Sequence, residues 1–164
     1  MTTTPSTPDT RFDAWADKLG HRFDGELVIG GNYTSTMRHG NQIFVSGQVP
    51  RVGTTVMVVG EVGHDVTLEQ AQVGAQICAM RALALLKSSL GSLSQIEQAL
   101  RMTVYTRSSP TFTQQSEVAD AASQVLHDVL GNAGKHTRTS VGVAQLPKGA
   151  AVELDLVVAA ATNR

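Results

Sequence analysis

Apolar residues recur every three or four positions at Ala71, Ala75, Cys78, Ala82, Leu86 and Leu90, the spacing of one face of an α-helix. Thr67 precedes this run and Gln70 stands three residues later, a capping-box pair that predicts the helix start; Gly91 supplies the C-terminal cap. A second helical stripe, Val118, Ala122, Val125 and Val129, runs to Gly131. Its start is expected at Ser109-Pro110, with serine as cap and proline at the first helical position. Between the helices, Ile96 to Thr106 places Met102 and Val104 opposite Thr103 and Tyr105, a period of two that predicts a strand. The same period returns near Arg138 to Ala144 and from Ala151 to Ala160. In the last segment Val152, Leu154, Leu156 and Val158 share one side, while Ala151, Glu153, Asp155 and Val157 share the other.

The first half is less regular. Tyr33 to Met37 and Gln42 to Val49 favour extended structure, and His39-Gly40-Asn41 between them carries hairpin-turn chemistry. Val52 to Val62 holds four apolar residues, Val56 to Val59, between glycines, and reads as a third short strand. Residues 1–10 read as a tail, and Phe12 to Leu19 as a short peripheral helix ending at Gly20. The expected division is residues 1–30 as a tail with that helix, and residues 31–164 as one domain. The order β-β-(β)-α-β-α-β-β predicts an α+β fold, with one mixed sheet of about six strands and both helices on one face. The semi-polar second face of the last strand is of the kind that becomes a subunit interface.

Composition narrows the functions. The 164 residues are 41% hydrophobic and 16% charged, enough for a globular core without disulfides. A formal net charge of -1, 4% aromatic residues and no basic run argue against nucleic acid as a partner. The longest uninterrupted apolar run, Leu156 to Ala161, is too short to span a bilayer, and the Thr- and Pro-rich start lacks an apolar signal region. No membrane partner and a cytoplasmic location are the expectations. Cys78, the single cysteine, lies among apolar neighbours and is expected to be a buried structural thiol.

The chain contains no P-loop, no Rossmann glycine fingerprint and no paired-histidine zinc helix. Neither Ser46 nor Ser140 sits in a nucleophile elbow. His21, His39, His64, His127 and His136 have no ligand spacing, so neither a metal nor a cofactor is expected. Asn32-Tyr33-Thr34 matches a glycosylation acceptor, read as chance without a secretory signal.

Three segments place polar residues beside glycine or at strand ends: Gly31-Asn32-Tyr33, Ile43 to Pro50 (IFVSGQVP), and Arg138 to Glu153 (RTSVGVAQLPKGAAVE). Together, and spaced by a long Ala-rich helix and the Met102-Thr103-Val104-Tyr105 strand, they resemble the RidA/YjgF family from about Gly31 to Val158. The resemblance implies a chorismate-mutase-like YjgF fold, a homotrimer with clefts between subunits, and hydrolysis of reactive enamines and imines to ketoacids and ammonia. It implies that Arg138 grips a substrate carboxylate, that Glu153 is associated with the hydrolytic water, and that Tyr33, Ser46 and Gly47 line the pocket. Ser140 stands where many members carry cysteine, and Ser116 where the archetype often has asparagine. The N-terminal extension and the longer valine-rich hairpin region mark a divergent branch.

The residues also speak without the family. A guanidinium presents a planar fork that pairs bidentately with a carboxylate at any physiological pH, and a carboxylate near a bound imine can deprotonate water. An arginine before a strand is more often ion-paired, however, and a strand glutamate more often a polar-face position. Two functions stay open: deamination of a small carboxylated metabolite with Glu153 and Ser140 as catalytic residues, and non-catalytic binding of a small carboxylate in the same cleft.

Overall fold

The computed structural model describes residues 5–162. Its elements in chain order are α1 (Pro8–Leu19), β1 (Thr36–His39), β2 (Gln42–Gln48), β3 (Arg51–Val52), β4 (Thr55–Val56), α2 (Leu68–Leu90), β5 (Ile96–Arg107), α3 (Gln115–Leu130), β6 (Thr137–Val143) and β7 (Val152–Ala160). Five strands form one mixed sheet in the order β1-β2-β7-β5-β6, and β3 and β4 pair apart from it as a two-stranded hairpin. The α+β architecture with α2 and α3 on one face agrees with the sequence expectation. The valine-rich region does not extend the main sheet: Gly53 turns the chain at φ 58°, and the segment between β4 and α2 makes only isolated bridges, among them Val59 with Ala150 and Val62 with Ser108.

Alternation along the strands sorts the two faces. Met102, Val104, Leu154, Leu156, Val158, Ile43 and Val45 are buried beneath the helices, and the register pairs Val104 with Leu154 and Met102 with Leu156. The opposite face carries Phe44, Tyr105, Glu153, Asp155 and Val157, with Phe44 47% exposed. β6 joins β5 in parallel, so the chain must cross over between them, and α3 is that crossover.

α2 starts at the Thr67–Gln70 capping box and stops at Gly91 in the left-handed region. It has the length and hydropathy of a membrane span, yet Ala75, Ile77, Cys78, Met80, Ala82, Leu83 and Leu86 are buried in this fold; a helix covered all round needs apolar residues all round. α3 begins at Gln115, with no side-chain cap bond, instead of at Ser109-Pro110. The Ser109 N–H is already bonded to the Val62 carbonyl at 2.9 Å, which holds that segment as a connection.

α1 also differs from expectation. It starts at Pro8, capped by Thr7 through reciprocal bonds with Thr10, and it is built into the core. Phe12, Trp15 and Ala16 belong to the main buried cluster, and the Trp15 indole donates to Asp128 on α3 at 3.2 Å.

Candidate functional site

Glu153 lies at the Tyr105 register of β7, on the face without helices, where a bulge in β2 between Val45 and Gln48 opens room for its carboxyl group. A Cβ at Gly47 would overlap a Glu153 carboxylate oxygen, so a side chain there would have to push that carboxyl aside. Burial pushes the Glu153 carboxyl above its ordinary pKa, and the nearby Asp155 charge adds to the rise. The group lines a cavity of about 340 Å³ together with Tyr33, Ser46, Gly47, Arg51, Arg81 and Lys148. Its rim turns on Lys148, which sits at φ 60° between Pro147 and Gly149, a left-handed conformation that a side chain rarely adopts.

Ser46 is held at the end of a buried polar chain. Its N–H bonds to the Ser35 carbonyl at 2.9 Å. The Gln48 amide donates to the Ser46 hydroxyl at 3.3 Å and to its carbonyl at 3.0 Å, and Arg81 Nε donates to Gln48 Oε1 at 3.2 Å. Gln48 and Arg81 are both buried. Tyr33 stands at the mouth, 51% exposed.

Arg138 is elsewhere. Strand register pairs it with Met102 and pairs Ser140 with Val104, which puts both on the helix-facing side of the edge strand β6. The Arg138 guanidinium turns onto α3. Its Nη1 donates to Asp120 Oδ1 at 2.8 Å and to the Ser123 hydroxyl at 2.9 Å, and Nη2 reaches the Ser116 carbonyl at 3.4 Å. Ser123 in turn bonds His136 Nε2 at 2.9 Å, and His136 Nδ1 donates to the Gly134 carbonyl at 2.6 Å; the Gly134 bond fixes the neutral tautomer, with Nε2 as acceptor. Burial pushes the His136 pKa down, reinforced by the neighbouring His127 and Arg138 charges against the opposing Gly134 bond.

Within one chain, then, Tyr33, Ser46, Gly47 and Glu153 share a cavity, and Arg138 and Ser140 do not join them. Arg138 lines a separate, open hollow with Asp120, Ser123, Gln124, His127 and His136. Sequence reasoning missed Gln48, Arg51 and Arg81 in the first place and Asp120, Ser123 and His136 in the second. Gln48 lies inside the Ile43 to Pro50 segment but carries no signal of its own there, and no local motif marks the other five; all six meet only through tertiary packing. Cys78 is fully buried, its thiol pushed up by burial and facing the Val152 carbonyl at 3.8 Å, as expected of a structural thiol.

Residues 23–159 match the family described as "YjgF/chorismate_mutase-like, putative endoribonuclease". Protein TCP17 of Trypanosoma cruzi is 37% identical over 149 residues, covering 90% of this chain and 93% of that protein. Among solved structures, a protein of unknown function from Agrobacterium tumefaciens superposes with a TM-score of 0.84 at 34% identity, covering 93% of this chain and 94% of its own. A Shewanella oneidensis protein given the same endoribonuclease description superposes at 0.85 with 25% identity, covering 94% and 99%.

Proposed function

This chain belongs to the YjgF/chorismate-mutase-like family, and from that premise we propose that it hydrolyses a small carboxylated enamine or imine to a ketoacid and ammonia, in clefts between the subunits of a cytoplasmic homotrimer. The observation that carries this reading is the Glu153 carboxyl, fitted against Gly47 in a walled cavity with its pKa raised by burial. A carboxylate with a raised pKa is a stronger proton acceptor from water than an ordinary one.

The chemistry follows from that placement. Water gives a proton to Glu153 as its oxygen bonds to the imine carbon, and the C=N pair moves onto nitrogen. Glu153 passes that proton to the nitrogen, giving the neutral carbinolamine, and then takes the hydroxyl proton and delivers it to the nitrogen as the C=O bond forms and ammonia departs. Ser46, oriented by Gln48, and Tyr33 at the mouth of the same cavity would hydrogen-bond the reacting group. Arg138 of a neighbouring subunit supplies the carboxylate fork, which its own chain does not bring to Glu153.

Ammonia release from freshly generated imino acids tests the proposal. Release above the uncatalysed rate, unchanged by EDTA, is the expected result. Ketoacid binding without ammonia release would make the protein a carboxylate-binding module instead. Cleavage of RNA under the same conditions, lost in Glu153→Gln, would favour the endoribonuclease description carried by the family.

A further inference from the structure

The cavity that holds Glu153 has two arginines in its wall that the hydrolysis does not use. Arg81, at the middle of α2, is 4% exposed. Its three hydrogen-bond acceptors, Gln48 Oε1 at 3.2 Å, the Arg51 carbonyl at 2.9 Å and the Val28 carbonyl at 3.3 Å, are all neutral. Arg51 lies beside it, and among the described residues its Nε is buried without a partner. Among the described residues neither makes an ion pair with a carboxylate. Lys148 lines the same cavity. Burying one cation without a counter-charge is unfavourable, and two side by side more so. Burial lowers the Arg81 pKa, and the Arg51 charge lowers it further. An anion entering here would meet the half-buried Arg51 guanidinium, which makes no side-chain hydrogen bond among the described residues, beside an Arg81 guanidinium held in place by its three acceptors.

We propose that Arg51 and Arg81 form a second anion subsite in the Glu153 cavity, which holds an additional acidic group of the substrate, carboxylate or phosphate, beyond the carboxylate that Arg138 would grip. The substrate class is then a dianionic imine or enamine. The proposal rests on the hydrolysis reading for the reacting group alone; the subsite itself is defined by the charges in the wall.

Calorimetric titration of the full chain, at fixed ionic strength, with 2-oxobutyrate and 2-oxoglutarate compares one acidic group with two. The expected result is at least about tenfold tighter binding of 2-oxoglutarate, as for one charge-assisted hydrogen-bonded pair. Arg51→Gln should reduce that preference to near unity while leaving 2-oxobutyrate affinity within about twofold. Because Arg81 is woven into the core, Arg81→Lys, keeping charge but not the fork, serves as the second variant and should retain only part of the preference in a protein that still unfolds cooperatively. Competition by inorganic phosphate assigns the subsite to a phosphate group, and its failure to compete assigns it to a carboxylate. Equal affinities in the wild type, or a preference that survives in folded Arg51→Gln, would overturn the proposal. The dicarboxylate preference without any imine hydrolysis would overturn the catalytic reading and leave the subsite standing; hydrolysis without the preference would do the reverse.

Discussion

Glu153 and Arg138 are fifteen positions apart and belong to one continuous sequence segment, yet they occupy contrasting environments. Glu153 faces away from the helices, in a cavity fitted around its carboxyl, with burial lifting its pKa. Arg138 faces the helices from the edge strand, with Nη1 taken by Asp120 and Ser123 and Nη2 reaching the Ser116 carbonyl. One half is shaped to perturb an acid; the other fixes a cation and leaves part of it accessible. Residues adjacent in a motif become partners only if strand pairing and assembly bring them together, and here the pairing alone puts them on opposite faces of the sheet.

The largest effect is expected at the acid. Glu153→Gln should lower turnover by about 10²- to 10⁴-fold, the range of a general base, with ketoacid affinity nearly unchanged; a parallel loss of affinity would mean that Glu153 binds instead of reacting. Arg138→Ala should cost on the order of 2–4 kcal/mol of transition-state stabilisation, roughly thirty- to a thousand-fold in kcat/KM. Arg138→Lys should recover part of that, since charge returns without the fork. Unaltered ketoacid affinity in Arg138→Ala would remove the anchor role. Gly47→Ala sharpens the contrast from the other side. Its methyl group must displace the Glu153 carboxyl, so turnover should fall by about tenfold or more, an effect of misplacing a catalytic group, with Arg138-dependent affinity retained.

The smallest effects concern stability against pH, and the two halves should respond in opposite directions. The folded-state pKa of Glu153 is raised, so its contribution is full below the unfolded carboxyl value and is lost as pH rises through the folded one. Glu153→Gln should therefore melt above wild type at pH 7 and no longer do so in acid. His136 is lowered instead, so its contribution is full above the unfolded value of about 6.5 and is lost as pH falls below it. His136→Gln should flatten the stability decline between about pH 7 and 5 in thermal melts; a decline that persists unchanged would assign it to other groups.

How much of this is legible in the chain varies by element. α2 is plain because Thr67, Gln70 and Gly91 act locally, each satisfying helix-end groups within a few residues. β7 is equally plain, its alternating residues meeting two different environments. The start of α3 misleads, because a serine-proline pair suits a helix end and a connection alike, and the Val62 bond that decides between them comes from a distant segment. The Thr7-Pro8 start of α1 has local cap chemistry, but it is embedded in a Thr- and Pro-rich stretch whose composition reads as tail. At the site, Tyr33, Ser46, Gly47 and Glu153 are legible as a group through the family resemblance. Arg51 and Arg81 carry no local signal: Arg81, in the middle of an apolar helix, gains meaning only from the strand and loop carbonyls folded over it, and Arg51 only from lying beside Arg81.

Subunit complementation tests most directly whether the two halves act across chains. Arg138→Ala and Glu153→Gln proteins, each nearly inactive alone, are unfolded together, refolded as a one-to-one mixture and assayed for ammonia release. Random assembly pairs an intact Arg138 with an intact Glu153 at about one quarter of intersubunit sites, so the mixture should regain about one quarter of wild-type activity. A mixture no more active than the average of its two parents would contradict the account and confine each residue's role to its own chain.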